Sequence, residues 1–222
     1  MNYWQRQELM FSREDNDKIR EMIVFVAGAG GLGTHQVLEL QRIGVKKIYI
    51  MDFDRVSASN LNRQILYGSK DIGKYKTEKA KEFLELFALG TEIVTINEKL
   101  SDDYTIPEDV DIVFDALDNF IARFILDRLI QIRKIPLIHG GINSWYGQIT
   151  SIVPGKTCSL KEIFGDNTGE EGDIPSFSPV VSIIASLQVV EGVKVFLQSE
   201  ETLAGKLMYI DFNDYSFEII EL

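Results

Sequence analysis

Residues 22–33 read MIVFVAGAGGLG, an unbroken apolar run that passes directly into a cluster of glycines. A continuous apolar run bounded by glycine is typical of a buried parallel strand. The cluster fits the pattern G-x-G-x-x-G, which lets backbone amides approach a phosphate group at the start of the next helix. We therefore expect a strand, a phosphate-binding loop and a helix over 31–43. The glycines of this loop are Gly28, Gly30, Gly31 and Gly33.

An acidic residue stands where a nucleotide-binding unit needs one. The next predicted strand, residues 47–51, ends at Asp52, 19 residues after Gly33. At this spacing a carboxylate accepts hydrogen bonds from ribose hydroxyls. A glycine-rich turn without a ligand is the plain structural alternative, and the loop alone does not distinguish NAD, FAD and ATP.

Beyond this unit, helical and strand patterns alternate along the chain. Such alternation indicates a mostly parallel sheet with helices on both faces. The last third instead predicts an antiparallel extension of the sheet. We expect a Rossmann-like α/β fold in a single domain over 1–222, with an N-terminal helical arm over 1–20. Helices are predicted over 77–89, 120–133 and from Pro179 to about 197, and strands over 92–96, 111–114, 136–138, 147–153, 206–211 and 216–221.

Composition excludes several classes of function. The 222 residues include 34 acidic and 23 basic side chains, for a net charge of −11. An acidic surface repels phosphate backbones, so we expect no nucleic-acid partner. One cysteine, Cys158, allows no disulfide within the chain and no four-cysteine zinc site. The first residues do not resemble a signal peptide and no apolar run predicts a membrane span, so we expect a cytoplasmic protein.

A polar cluster follows Asp52 in the run DFDRVSASNLNRQ, residues 52–64. A dinucleotide oxidoreductase needs no such cluster, whereas an enzyme that handles a triphosphate must neutralise several negative charges. Arg63 offers a planar fork for phosphate oxygens, and Lys76 offers a point charge beside a helix start. Asn60 and Gln64 offer neutral hydrogen bonds. The structural alternative is that Arg63 and Lys76 pair with surface acids.

Asp118 and Asn119 follow the strand over 111–114, at the carboxyl edge of the predicted sheet. Ligands of open α/β sheets bind at that edge. A carboxylate there suits Mg²⁺, which binds through one or two acids together with substrate phosphates. The alternative is that Asp118 caps the helix that begins at Phe120.

These motifs together resemble the ThiF/MoeB/HesA family, relatives of the ubiquitin-activating enzymes. The resemblance rests on GAGGLG, then DFDxVxxSNLxRQ, then GxxK at 73–76, then Asp118-Asn119, in that order. The start at 3–7 resembles the family's RYxRQ, although Asn2 replaces its first arginine. Further matches at 140–141 and 147–149 extend the resemblance over nearly the whole chain.

The resemblance implies a set of site residues and a reaction. It implies that Asp52 holds the ribose, that Asp118 holds Mg²⁺, and that Arg6 reaches the phosphates of the neighbouring subunit in a homodimer. The family transfers AMP from ATP to the C-terminal Gly-Gly carboxylate of a ubiquitin-like protein, forming an acyl-adenylate and pyrophosphate. The implied contacts to the triphosphate come from Asn60, Arg63, Gln64 and Lys76, and Asp54 and Asn119 complete the predicted nucleotide-binding set.

The chain departs from the family at its cysteines. Many members bind structural zinc with two C-x-x-C pairs, but Lys161 stands where the partner of Cys158 would be, so we expect no zinc. The crossover loop, 157–178, has no thioester-forming cysteine in the segment 165–177, and an inert Cys158 is the plainer interpretation. We expect the chemistry to end at the acyl-adenylate. The segment 165–177 is interpreted either as a lid or as plain surface disorder. His35, early in the helix after the phosphate loop, and His139, at the end of a strand, are interpreted as structural residues.

Several functions remain open at this point. The first is adenylation of a ubiquitin-like sulfur carrier for thiamine, molybdopterin or related biosynthesis. The second is adenylation of another carboxylate. The third is an NAD(P)-dependent oxidoreductase, which would leave the NLNRQ cluster at 60–64 without a role. The fourth is a non-catalytic scaffold, which the retained Arg63, Lys76 and Asp118 disfavour.

Overall fold

The computed structural model describes residues 3–165 and 175–222, in which eight strands form one sheet. Parallel pairing joins the first five strands and antiparallel pairing joins the last four, so the predicted fold class is confirmed. The strands are β1 (Ile23–Ala27), β2 (Lys47–Met51), β3 (Glu92–Ile96), β4 (Ile112–Asp115), β5 (Leu137–Asn143), β6 (Tyr146–Ile152), β7 (Lys206–Asp211) and β8 (Ser216–Glu221), in the spatial order β3-β2-β1-β4-β5-β6-β7-β8.

Helices cover both faces of the parallel part of the sheet. Val26, Ile50 and Phe114 point to one face, where they pack in a core with helix side chains such as Leu40. Phe25 lies in a second core on the opposite face. The helices are α1 (Arg13–Glu21), α2 (Gly31–Ile43), α3 (Lys76–Glu85), α4 (Phe120–Arg133), α5 (Leu160–Phe164) and α6 (Ser178–Phe196), with short 3-10 turns at Gln7–Leu9, Ala58–Asn60 and Ser69–Asp71.

The strand order creates a crevice beside β1. From β1 the chain runs outward through β2 to β3, and it then returns to place β4 on the other side of β1. The connections after β1 and β4 therefore leave the carboxyl edge of the sheet in opposite directions. Ligands of open α/β sheets bind at such a point.

The long apolar helix α6 packs against α2 and β5. Among the described residues it is the one helix long and apolar enough to cross a bilayer by length and composition. Of its apolar window, 44% is buried inside the fold, and the core helix of a globular protein passes the same test. Val181 and Ile184 are buried in a third core under β6 and β7.

Most predicted elements are confirmed, and the differences have local causes. The predicted strand over 136–138 is instead the seven-residue β5, because β6 pairs antiparallel with its whole length. His139 therefore lies inside a strand, whereas we expected it to end one. The helix predicted over 77–89 stops at Glu85, and Ala88 then takes a positive φ of 49°. Of the crossover loop 157–178, residues 166–174 lie outside the described residues, and α5 occupies part of the remainder.

Candidate active site

A cleft of about 960 Å³ opens at the carboxyl edge of the sheet, beside β1. The glycine loop, the segment after β2 and the segment after β4 form its walls. Most residues that the sequence singled out line this one cleft: Gly28, Gly30, Gly31, Asp52, Asp54, Asn60, Arg63, Gln64, Lys76, Asp118 and Asn119. Gly33 and Arg6 are not among the lining residues.

Two glycines hold the phosphate loop close to its neighbours. Gly28 has a φ of +106°, and a Cβ built on it would lie 2.5 Å from the carbonyl oxygen of Ala116. A Cβ on Gly33 would lie only 1.9 Å from the carbonyl oxygen of Gly28. Gly33 is therefore needed for helix α2 to begin so close to β1. Gly30 and Gly31, by contrast, face the cleft.

Asp52 braces the glycine loop from the end of β2. Its Oδ2 accepts a hydrogen bond from the amide of Ala29 at 2.7 Å, and its Oδ1 accepts one from the amide of Asp54 at 2.7 Å. Burial raises the pKa of Asp52, against the opposing effects of Lys76 and these two amides. The carboxylate that we expected to bind ribose is thus already fixed by the protein.

Lys76 is the first residue of α3 and is 6% exposed. Its Nζ lies 2.8 Å from Asp54 Oδ2 and 3.9 Å from Asp52 Oδ2. Lys76 does pair with acids, as the structural alternative predicted, and both acids line the cleft, although the side chain of Asp54 is 47% exposed. The ammonium group is therefore held at the cleft wall beside the end of β2.

Asn60 is the last residue of the 3-10 turn Ala58–Asn60, and Arg63 and Gln64 lie in the turn that follows it. Arg63 Nη1 donates to Ser59 O and to Asn62 Oδ1, both at 2.9 Å, and within the described part of the chain Arg63 pairs with no acidic residue. Asn60 Oδ1 accepts from the amide of Ser57 at 3.1 Å and so fixes the turn. Gln64 is 3% exposed, and its Oε1 has no hydrogen-bond partner among the described residues. The turn thus presents the Arg63 guanidinium and the Gln64 side-chain amide group to the cleft.

Asp118 and Asn119 have separate roles at the start of α4. Asn119 is the N-cap, because its Oδ1 accepts from the amide of Ala122 at 2.9 Å. The alternative in which Asp118 caps this helix is therefore wrong. Asp118 is exposed in the cleft, and its Oδ1 accepts from the side-chain amide of Asn119 at 3.0 Å. Its carboxylate remains accessible to a ligand.

Arg6 lies in the N-terminal arm, away from the cleft of its own chain. The arm is fastened to the end of α2, where Trp4 Nε1 donates to Arg42 O at 2.8 Å and Gln7 Nε2 donates to Ile43 O at 3.1 Å. Arg6 itself is exposed. Arg6 therefore does not line the cleft of its own chain.

The cleft also contains residues that sequence reasoning missed. Lys99 and Phe53 line it, with the Lys99 ammonium 5.7 Å from the centre of the Phe53 ring. Arg123, in the first turn of α4, lies 3.3 Å from the buried carboxylate of Asp115. Tyr67 does not line the cleft but supports its glycine loop, because its hydroxyl group donates to Ala29 O at 2.8 Å. Asp115 is the last residue of β4 and Asp52 directly follows β2, and this shared position at the sheet edge was the available signal.

The chain matches a known protein family and is similar to several known proteins. The sequence model of the ThiF family matches residues 4–222. The chain is 30% identical to the SAMP-activating enzyme E1 of Haloferax volcanii over 93% of its own length and 79% of that protein. It is 33% identical to the molybdopterin-synthase adenylyltransferase of Haemophilus influenzae, over 94% of this chain and 88% of that protein.

One similar protein is about twice as long as this chain, and one solved structure shares its fold. The chain is 32% identical to adenylyltransferase and sulfurtransferase MOCS3 of Culex quinquefasciatus over 92% of its length, but it spans about half of that protein, 48%. A crystal structure of Escherichia coli MccB with ATP superposes with a TM-score of 0.87 and covers all of this chain and 71% of that one. At 23% identity, this likeness supports the fold alone.

Proposed function

We propose that this chain, which belongs to the ThiF family, transfers AMP from ATP to the C-terminal carboxylate of a ubiquitin-like carrier protein. Membership of this family identifies it as an adenylyltransferase of the ubiquitin-like activating type. The observation that carries the proposal is the convergence of Arg63, Lys76 and Asp118 on one cleft with the glycine loop.

The proposed reaction is a displacement at the α-phosphorus of ATP. A carboxylate oxygen of the carrier forms a bond to that phosphorus, and the bond from the phosphorus to the oxygen bridging to the β-phosphate breaks. The products are an acyl-adenylate and pyrophosphate, which takes the electron pair of the broken bond. The nucleophile is already ionised, so the site needs positioning and charge stabilisation rather than a general base.

The cationic side chains of the cleft supply that stabilisation. Lys76 is held at the end of β2, and the loop 28–33 places the amides of the α2 N-terminus in the same cleft. The start of a helix carries unpaired N–H groups and partial positive charge, which favour phosphate binding. Arg63 adds a fork that suits phosphate oxygens. These groups attract the triphosphate and the charge that develops on the leaving pyrophosphate.

Asp118 would hold Mg²⁺. The donor set fits this ion, because the carboxylate of Asp118 is exposed in the cleft, and Mg²⁺ in nucleotide sites binds through one or two carboxylates plus substrate phosphates. Among the described residues no group of three or more His, Cys, Asp and Glu side chains surrounds a metal position. Bound there, Mg²⁺ would neutralise phosphate charge and hold the triphosphate in one orientation.

The class of carrier is proposed from the relatives. The names of two matched proteins specify SAMP activation and adenylation linked to molybdopterin synthase. We infer a ubiquitin-like sulfur carrier with a Gly-Gly tail, and a homodimer in which Arg6 reaches the neighbouring cleft. We also infer that the protein acts in the cytoplasm.

ATP–pyrophosphate exchange tests the proposal. Wild-type protein is expected to exchange label only when a carrier with a free Gly-Gly carboxylate is present, and the same carrier with an amidated terminus is the matched control. Exchange with other carboxylic acids but with no Gly-Gly carrier would reject the carrier and keep the enzyme class. Tight binding of NADH with no binding of ATP would reject both the carrier and the enzyme class.

A further inference from the structure

We propose that His139 is a positioning residue of the adenylation site, which acts through Asp115 to hold Arg123 and the loop 115–119 at the cleft wall. The loop 115–119 carries Asp118, so His139 would act on the groups beside the reacting carboxylate without touching the substrate. This inference rests on the proposed function for its chemical meaning, whereas its structural part is independent of it.

His139 is completely buried within β5 and has two polar partners. Its Nδ1 lies 2.7 Å from Asp115 Oδ2, and its Nε2 lies 3.2 Å from Gln148 Nε2. A carboxylate only accepts hydrogen bonds, so Nδ1 carries the proton, and Nε2 then accepts from the amide of Gln148. Burial lowers the pKa of His139 despite the opposing effect of Asp115. The ring is therefore a neutral donor with one fixed tautomer.

Asp115 connects His139 to two parts of the cleft wall, the turn at Leu117 and the side chain of Arg123. Its Oδ1 accepts from the amide of Leu117 at 2.9 Å, which fixes the turn leading to Asp118. Its Oδ2, shared with His139, lies 3.3 Å from Arg123 Nε. Asp115 is completely buried, and a buried carboxylate without partners is costly. Hydrogen bonds from Leu117 and His139 fix its orientation, whereas Arg123 Nε pairs with it by charge and forms no hydrogen bond among the described residues.

Arg123 is the group through which the arrangement reaches a ligand. Its Nη2 donates to Leu117 O at 2.7 Å and to Gly140 O at 3.1 Å, so the guanidinium plane is fixed. Its Nη1 has no hydrogen-bond partner among the described residues, and the residue lines the cleft. A guanidinium whose Nη1 keeps both of its N–H groups unpaired suits an anionic oxygen, such as that of the carrier's carboxylate.

The ring of His139 is also held by packing. Its centre lies 5.3 Å from that of Phe164, the last residue of α5, and Phe164 lies 5.3 Å from Phe120 at the start of α4. These contacts close the side of the ring that faces α4 and α5. An apolar residue at 139 would preserve the packing but would remove the donor to Asp115. The hydrogen bond and the packing can therefore be tested separately.

Two substitutions at position 139 separate the effect of the hydrogen bond from that of the packing. In His139→Leu we expect turnover in carrier-dependent exchange to fall about tenfold or more, as for other outer partners of site residues, with the KM for ATP changed by less than about twofold. His139→Asn places an amide donor near the Nδ1 position and is expected to recover most of that turnover. Gln41→Leu is the matched control, because it removes a buried hydrogen bond, to Leu84 O, far from the cleft.

Hydrogen exchange gives a readout that needs no activity. In His139→Leu the amides of 115–123 are expected to exchange faster than in wild type, while those of α3 keep their rate. Unchanged protection of 115–123, or equal loss of turnover in the Leu and Asn variants, would overturn the inference. If wild type shows no ATP–pyrophosphate exchange with any carboxylate, the proposed function fails. The hydrogen-exchange protection of 115–123 then still decides whether His139 positions this loop.

Discussion

The ammonium group of Lys76 lies between two carboxylates, 2.8 Å from Asp54 Oδ2 and 3.9 Å from Asp52 Oδ2. Its position is otherwise unfavourable, because a buried cation is costly and the start of a helix already carries positive charge. Asp52 and Asp54 compensate for both effects. The lysine is thus fixed at the cleft before a nucleotide binds, and little reorganisation is needed when phosphates arrive.

Lys76→Met is therefore expected to remove most activity while the fold is retained. Loss of one preorganised donor to a charged transition state typically lowers turnover by about 100-fold or more. Lys70→Met is the matched control, since Lys70 is exposed and lies outside the cleft. Pyrophosphate exchange measures the effect, and circular dichroism checks the fold. Equal activity in the two variants would contradict this role for Lys76.

Two glycines of the phosphate loop should respond differently to alanine. A Cβ on Gly33 would overlap the carbonyl of Gly28, so Gly33→Ala is expected to lower the free energy of unfolding by about 3 kcal/mol. A Cβ on Gly30 would lie 3.8 Å from Gln64 Nε2, an ordinary contact, but would enter the cleft. Gly30→Ala should fold normally and bind ATP more weakly. Urea unfolding and ATP titration separate the two outcomes.

The sequence predicted the parallel half of the fold well because the signals there are local. The apolar run before Gly28 and the helical spacing over 120–133 both depend only on neighbours in the chain. The extension of β5 beyond Ile138 depends on pairing with β6, and the short pattern at 136–138 carries no sign of it. His139 was therefore placed at the end of a strand, although it lies inside one.

The same distinction applies to the candidate site. Motif spacing predicted Asp52, Lys76 and Asp118, because each follows a strand or begins a helix at a recognisable position. The role of Arg123 depends on contacts with Leu117 O and Gly140 O. Leu117 follows β4, whereas Gly140 lies on β5. Such contacts arise only when β4 and β5 are adjacent. Single-sequence reasoning has no access to that adjacency.

Asp118 and Asn119 allow ligand binding to be separated from stability. Asp118→Asn keeps the shape and an acceptor for the Asn119 amide, so the stability of the fold should not change. Turnover is expected to fall about 100-fold and the Mg²⁺ concentration needed for half-maximal rate to rise. Asn119→Ala instead removes the N-cap of α4 and should cost about 1 kcal/mol of stability. An active Asp118→Asn enzyme with normal Mg²⁺ dependence would argue against the proposed site.

The pH dependence of stability should reveal the buried carboxyl of Asp127. Burial raises its pKa above the ordinary value of 3.8, against hydrogen bonds from the amides of Leu160 and Lys161. Because the folded state favours the protonated carboxyl, its contribution to stability is complete at pH values below the ordinary pKa. This contribution is lost as the pH rises through the folded-state pKa. Asp127→Asn lacks this loss, so its free energy of unfolding relative to wild type should increase from about pH 4 toward neutrality.

Urea unfolding followed by tryptophan fluorescence at several pH values measures that difference. Asp17→Asn is the matched control, because the side chain of Asp17 is 61% exposed. A difference between Asp127→Asn and wild type that is the same at every pH would contradict the assignment.

The position of Arg6 makes the proposed homodimer testable through activity. Arg6 lies outside the cleft of its own chain, whereas Lys76 lies inside it. If Arg6 completes the neighbouring site, Arg6→Ala and Lys76→Met should each be inactive as pure dimers, yet a mixed dimer has one site with both residues intact. Co-expression in equal amounts makes half of the dimers mixed, each with one of two sites working, so about a quarter of wild-type activity should return.

Lys76→Met co-expressed with Asp118→Asn is the control, because both residues lie in the same cleft and give no such recovery if Lys76 and Asp118 act within one chain. An Arg6→Ala protein that is fully active alone, or a mixed dimer as inactive as its parents, would show that Arg6 does not act across the interface.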